Sequence, residues 1–274
     1  MKIKWLVDSV LMTEDELNWL RTNLDESIDV HIAKYRPFID KIDEGGFSYN
    51  DPVVVYGSIQ FARGTRNFIG NLWDEQQYLV TNYRETAFDF TDDSYWLNNG
   101  LFTTWGFLLR NYKNIIPESD CLFIRPNSGG KVFTGFPIHK NNLTEEASKQ
   151  MQLTGVDNST LVQVNPANNQ IHSEYRCIFY KGKFITGSMY NRGGNKEESS
   201  VIPSQVIDFS KEIAPHSCWD FPFVCDIALL NDNSCKIIEL NCITCSGWYH
   251  SEYTKIVECL NDWTYKAWKE INGY

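Results

Sequence analysis

Residues 224–242 read VCDIALLNDNSCKIIELNC. Two apolar, strand-like runs flank a polar break at 231–234, a pattern that predicts an antiparallel hairpin. A two-residue turn at Asp232 and Asn233, or a four-residue loop over 231–234, produces the same facing pairs. Either one sets Asp226 opposite Glu239. Asn241 lies two residues further along and shares the face of Glu239. Opposed carboxylates on adjacent strands repel each other. Either the pair shares a proton, or it holds a divalent cation, or the face is solvated. Val224 and Ala228 on that face, with apolar Ile237 nearby, speak against full solvation. Two carboxylates and an amide carbonyl are hard oxygen ligands. So few of them suit Mg²⁺, which keeps water and phosphate oxygens as its other ligands.

The rest of the chain narrows the partner. Its 274 residues carry 25 Lys+Arg against 35 Asp+Glu, a net charge of −10. No long basic run appears, so nucleic acid is not an expected partner. An acidic chain can still carry a locally basic cleft for an anion. No stretch reaches the roughly 18 apolar residues of a membrane span. The opening MKIKWLVDSVLMTEDE has too short an apolar run for a secretion signal, so the expected location is cytoplasmic. The eight cysteines are therefore expected to be free thiols. Cys242 and Cys245 form an isolated CxxC without the second pair that a structural zinc requires.

The composition changes along the chain, which suggests a division near residue 115. In the first part, residues 3–7 read as a strand and 14–24 as a helix, with Thr13 and Glu16 as its capping box. PVVVYG at 52–57 reads as a buried strand. This is a small α/β unit, and a helix is expected over 95–112. The second part, 116–274, is strand-rich, with a helix candidate at 144–152 capped by Thr144. The last segment spaces Tyr253, Ile256, Val257, Leu260 and Trp263 as an amphipathic helix. The expected class is α+β, antiparallel sheets with helices on one side.

A cation held by few protein groups calls for an anionic partner. FIRPNSGGKVFTG at 123–135 places Arg125, Ser128, Gly129, Gly130 and Lys131 in a glycine-rich hairpin. Paired glycines let backbone amides approach phosphate oxygens. The loop is not a Walker A motif, because Val132 and Phe133 continue as strand rather than helix. Taken alone, the residues suit an ordinary glycine-rich hairpin better. In SEYRCIFYKGKFITGSMYNRGG at 173–194, Lys181 and Gly182 suit a type I′ turn. Arg176 sits among strand residues, where a charge needs a partner. That partner is a phosphate, Glu174 or another acid. Arg192 follows at the end of the second strand. Ser246, Gly247, Trp248 and Tyr249, after Asn241, either line a pocket or pack under the last helix.

These three segments, in this order, resemble the ATP-grasp superfamily, and within it the clade named for two arginines and a lysine. FIRPNSGGKVFTG is similar to its phosphate-binding hairpin, EYRCIFYKGKFITGSMY to its next motif, and VCDIALL…KIIELN to its metal hairpin. The resemblance implies an ATP-grasp fold preceded by a small α/β domain. It implies an ATP-dependent carboxylate–amine ligase that forms an amide through an acylphosphate and releases ADP. Asp226, Glu239 and Asn241 would hold one or two Mg²⁺. Arg125 and Lys131, with Ser128, Gly129 and Gly130, would bind the phosphates of ATP. Arg176 and Arg192 would stabilise the transferred group. LVQVN at 161–165 would meet adenine around Gln163 and Val164. Many relatives carry lysine where Arg125 stands; arginine still binds phosphate, as a fork. The alternatives are a phosphotransferase using the same site and a nucleotide-binding module without turnover.

Overall fold

The computed structural model of the chain describes residues 2–24, 28–33, 42–73, 89–128, 132–167, 170–217 and 219–273. Three sheets organise them. The N-terminal sheet is parallel, in the order β2-β1-β3, with β1 Lys4–Asp8, β2 Asp29–Ala33 and β3 Val53–Tyr56. Helix α1, Glu14–Asn23, starts at the predicted capping box. The Glu16 amide donates to Thr13 Oγ1 at 3.2 Å, and the Thr13 amide donates back to Glu16 Oε2 at 2.6 Å. A short helix α2, Ile59–Gly64, follows β3.

The second sheet is antiparallel, in the order β4-β7-β5-β6. Its strands are β4 Leu101–Thr104, β5 Cys121–Pro126, β6 Phe136–His139 and β7 Leu161–Pro166. The expected single helix over 95–112 is instead strand β4 followed by helix α3, Trp105–Asn111. The reason lies at Gly100 and Thr104. A side chain at Gly100 would collide with the Val164 carbonyl, 2.3 Å from a built Cβ. The backbone therefore runs hard against β7 and pairs with it. Thr104 then caps α3 by accepting from the Phe107 amide. This pairing carries the sheet back to Leu101, N-terminal to the expected division at residue 115. Helix α4, Leu143–Leu153, covers the same face as α3. Its N-cap is Asn142, not Thr144, whose carbonyl instead accepts from Ser148 inside the helix.

The third sheet runs β10-β9-β8-β11-β12. Its strands are β8 Ile171–Tyr180, β9 Lys183–Arg192, β10 Asn195–Ser199, β11 Phe223–Leu230 and β12 Cys235–Asn241. Lys181 and Gly182 both have positive φ, 51° and 64°, as the predicted type I′ turn requires. Helix α5, Ser204–Ile213, packs Val206 and Ile213 on one face of this sheet, against Tyr175, Cys177, Phe179, Cys225 and Ile227. The other face packs Ile178, Tyr180 and Val224 against the N-terminal sheet and helix α6, Tyr253–Asn272. Ile256, Val257, Leu260 and Trp263 are buried there, on the predicted stripe.

The β11–β12 hairpin reaches its predicted pairing by an unpredicted route. Leu229, not Leu230, faces Cys235, and the register stays one residue short up to Ile227 opposite Ile237. A bulge at Ile238 then restores it, so that Asp226 does face Glu239. Ile237 and Leu240, three residues apart, consequently point into the same core. Ile237 therefore faces away from the carboxylates rather than shielding them.

Gly187 sits opposite Cys177 between β9 and β8. A Cβ there would lie 2.5 Å from the Arg176 carbonyl oxygen. Gly187→Ala must push the two strands apart beside Arg176. We expect a loss of roughly 1–3 kcal/mol, as for other overpacked sites, measured by urea denaturation. An unchanged midpoint would show that the strands separate there without strain.

Candidate active site

Strand pairing brings an acid from each of β11 and β12 onto one face, beside an arginine from β8. Asp226 pairs with Glu239 on one side and with Arg176 on the other. It is 1 % exposed. Arg176 grips it with two hydrogen bonds, Nε to Oδ1 at 2.9 Å and Nη2 to Oδ2 at 2.8 Å. Glu239 Oε2 accepts from Nη2 of Arg125, which reaches across from β5 in the facing sheet. Asn241 ties the pair together: its Nδ2 donates to Asp226 Oδ2 at 3.2 Å and to Glu239 Oε1 at 2.8 Å. The repulsion expected from the opposed carboxylates is thus offset by two guanidinium groups and an amide.

A cleft of about 290 Å³ opens between the two antiparallel sheets at this point. Phe123, Arg125, Ser128 and Gly135 line one wall, and Glu174, Tyr190, Ile238 and Glu239 the other. Alternation accounts for the first wall: Leu122 and Ile124 enter the core under α3 and α4, which leaves Phe123 and Arg125 facing the cleft. Gly135 packs closely on this wall, where a Cβ would sit 2.9 Å from the tip of the Phe123 ring and 3.1 Å from Arg125 Cβ. The second strand of this hairpin starts at Phe136, four residues later than expected; Val132 and Phe133 belong to the connecting bend. Gly129, Gly130 and Lys131 lie outside the described residues.

The electrostatics follow from burial. Burial pushes the Asp226 carboxyl above the usual carboxylate range, and Arg176 pulls it partly back. Burial opposes the charge on Arg176, but the Asp226 carboxylate prevails and raises its pKa further. Glu174 shares the face of Arg176 and is also raised by burial, although Tyr190 donates to its Oε2 at 2.7 Å. Tyr190 and Tyr249 stack with ring centroids 5.4 Å apart, and the Arg176 guanidinium lies 5.5 Å and 5.1 Å from the two rings. Nη1 of Arg176 also donates to the Gly247 carbonyl at 3.3 Å.

Several expected residues are not brought into this cluster. Arg192 lies opposite Ser173, half-exposed, with its guanidinium on Glu197 and Met189 Sδ. A bulge at Tyr190 shifts the alternation of β9 beyond it, so Arg192 turns away from the face that Tyr190 shares with the site. Gln163 and Val164 sit in β7, a central strand flanked by β4 and β5. Their backbone is committed to the sheet, and the Val164 side chain is core. Trp248 packs among Trp5, Tyr56 and Tyr253 rather than lining a pocket. Tyr190 was readable by strand alternation, two residues before Arg192 and on the same face as it in a regular strand. Glu174 was readable, two residues before Arg176 on the same strand.

Two carboxylates and an amide oxygen suit a hard divalent cation with positions left for water and phosphate. Rotating the Asn241 amide aims its carbonyl at the point between the carboxylates. The donor set therefore fits Mg²⁺. Among the described residues no group of three or more His, Cys, Asp and Glu side chains is placed to hold a metal. No helix among the described residues is long and apolar enough to cross a membrane.

Comparison with known proteins adds the family. The fold is similar to that of D-cycloserine synthetase DcsG, with a TM-score of 0.64, 14% sequence identity, and coverage of 96% of this chain and 99% of that one. It is also similar to D-alanyl-alanine synthetase A from Vibrio cholerae, at TM-score 0.60 and 10% identity over 97% and 99% of the two chains. A D-alanine–D-alanine ligase from Bacillus anthracis, solved with ATP, has TM-score 0.53 and 12% identity over 99% and 98%. No curated sequence matches the chain. At these identities the likeness is one of fold. A family model, however, matches residues 102–259, more than half of the chain and the stretch that holds both cleft walls, and by that match the chain belongs to the R2K clade of ATP-grasp domains, family 2.

Proposed function

We propose that this protein is an ATP-dependent carboxylate–amine ligase. The observation that carries the reading is the convergence of Asp226, Glu239 and Asn241 with Arg125 and Arg176 at one end of the cleft between the two sheets. Opposite charges of that density, largely buried, suit a metal-bound polyphosphate. Solved structures of the same fold are named as synthetases and ligases, which supports the class of reaction.

In this reading a substrate carboxylate attacks the γ-phosphorus of ATP and displaces ADP. An amine then attacks the acyl carbon of the acylphosphate, phosphate leaves and an amide forms. The chain's own task is placement and charge neutralisation. Arg125 and Ser128 would hold the α- and β-phosphates from the hairpin wall, the role that the resemblance also gives to Gly129, Gly130 and Lys131. Arg176, seated on Tyr190 and Tyr249, faces the transferred phosphoryl group. Asp226, Glu239 and Asn241 would hold Mg²⁺, which would neutralise phosphate charge. Arg192, turned to Glu197, and Gln163 and Val164, held in the sheet, have no part in this proposal.

The test is ADP release from the purified chain with Mg²⁺, ATP and pooled carboxylates and amines, with mass spectrometry of the products. ADP formation that requires both a carboxylate and an amine, with an amide one water lighter than their sum, is the expected result. ADP with a stable phosphoproduct and no amide would replace ligation by phosphotransfer. Nucleotide binding without turnover under any substrate pool would count against an enzyme.

A further inference from the structure

Every oxygen of the two proposed metal-binding carboxylates already accepts a hydrogen bond from the chain. Asp226 Oδ1 takes Arg176 Nε, and Oδ2 takes Arg176 Nη2 and Asn241 Nδ2. Glu239 Oε1 takes Asn241 Nδ2, and Oε2 takes Arg125 Nη2. A dication at this point shares those oxygens with two guanidinium groups and is repelled by both. The side chains of Arg125 and Arg176 are only 9 % and 12 % exposed. Expelling them without a new anion leaves buried charges unpaired, the arrangement proteins tolerate least.

A triphosphate removes that obstacle. Its oxygens accept a guanidinium fork as well as a carboxylate does. Arg176 also has anchors that are not acidic: the Gly247 carbonyl and the faces of Tyr190 and Tyr249. These hold its head in the cleft when it releases Asp226. Tyr249 is kept there in a left-handed conformation, φ 51°, that aromatic residues rarely adopt.

We propose that Arg125 and Arg176 are exchangeable counter-ions, so that divalent metal and the nucleotide's triphosphate enter this site together and each binds poorly alone. The inference rests on the nucleotide-binding reading above and adds an obligatory coupling to it. Metal and triphosphate exchange partners with the chain in one step: the arginines pass from carboxylates to phosphates, and the carboxylates pass from arginines to the cation. By linkage, each ligand raises the affinity of the other by the same factor.

The test titrates the purified full chain with Mn²⁺, followed by electron paramagnetic resonance, with and without the non-hydrolysable analogue AMP-PNP. Glu239→Gln serves as a control, and Mn²⁺ bound equally by that variant is counted as bound elsewhere. In the wild-type chain the analogue should tighten Mn²⁺ binding at this site by more than about 10-fold, within the usual span of coupling factors. The same factor should appear when the analogue is titrated with and without Mn²⁺. Arg176→Met and Arg125→Met should each raise the affinity for Mn²⁺ alone and shrink the coupling. The wild-type measurement stands if either variant fails to fold. Equal Mn²⁺ affinity with and without bound analogue overturns the exchange while leaving the nucleotide site in place. An analogue that binds neither with Mn²⁺ nor without it overturns both. Coupling with no ligase turnover supports the exchange and counts only against the reaction assigned above.

Discussion

Replacing Asp226 by asparagine is expected to lower the melting temperature of the chain by roughly 6 °C or more. The substitution preserves shape and removes one charge of a buried, doubly hydrogen-bonded pair. It also turns an amide N–H against the Arg176 guanidinium. Breaking such a pair from one side costs about 3 kcal/mol or more, because the remaining ion stays buried without its partner. At about 2 °C per kcal/mol for a large domain, the shift is easily read by scanning calorimetry. The pair itself contributes little net stability. Taking both charges out of water offsets much of their attraction, as is general for buried ion pairs. The double replacement Asp226→Leu with Arg176→Met should therefore melt close to the wild type while either single change does not. If Asp226→Asn alone melts within 2 °C or so of the wild type, the guanidinium finds water or Glu239 readily and the pair is not the constraint drawn here.

What could be read from the sequence, and what could not, divides along one physical line. Local rules were legible. Thr13 and Glu16 announced a capping box, Lys181-Gly182 a type I′ turn, and the spacing of Ile256, Leu260 and Trp263 a buried helical stripe. The facing of Asp226 and Glu239 was legible too, although the turn is one residue out of register and the bulge at Ile238 corrects it. The bulges themselves left no mark in the residue pattern. A bulge shifts strand alternation by one, so Arg192 leaves the face on which Tyr190 stays. Arg125 and Glu239 are 114 positions apart, and only the stacking of two separate sheets brings them together. No propensity or period within either hairpin records that contact. The segment 95–112 failed for a related reason: its helical pattern is real from Trp105 onward, but pairing with β7 takes the first four residues after Gly100 into a strand.

Glu239→Gln separates catalysis from stability in the opposite sense to Asp226→Asn. Its side chain is 21 % exposed, so the lost charge is less costly to the fold. Glutamine still offers Arg125 an acceptor oxygen, and the change removes the like-charge opposition to Asp226 across the hairpin. The melting temperature should stay within roughly 2 °C of the wild type, at about 2 °C per kcal/mol. Metal-dependent ATP turnover should fall by about 100-fold or more. Weakening even an outer partner of a metal ligand typically costs 10–100-fold, and here an anionic oxygen ligand becomes a neutral one. The residual rate should rise with Mg²⁺ concentration beyond the point where the wild type saturates, because what is lost is affinity for the cation. Steady-state ADP release across a Mg²⁺ series measures both effects. Wild-type turnover at wild-type Mg²⁺ requirement would remove Glu239 from the metal site, and with it the charge arrangement on which the ligase reading stands.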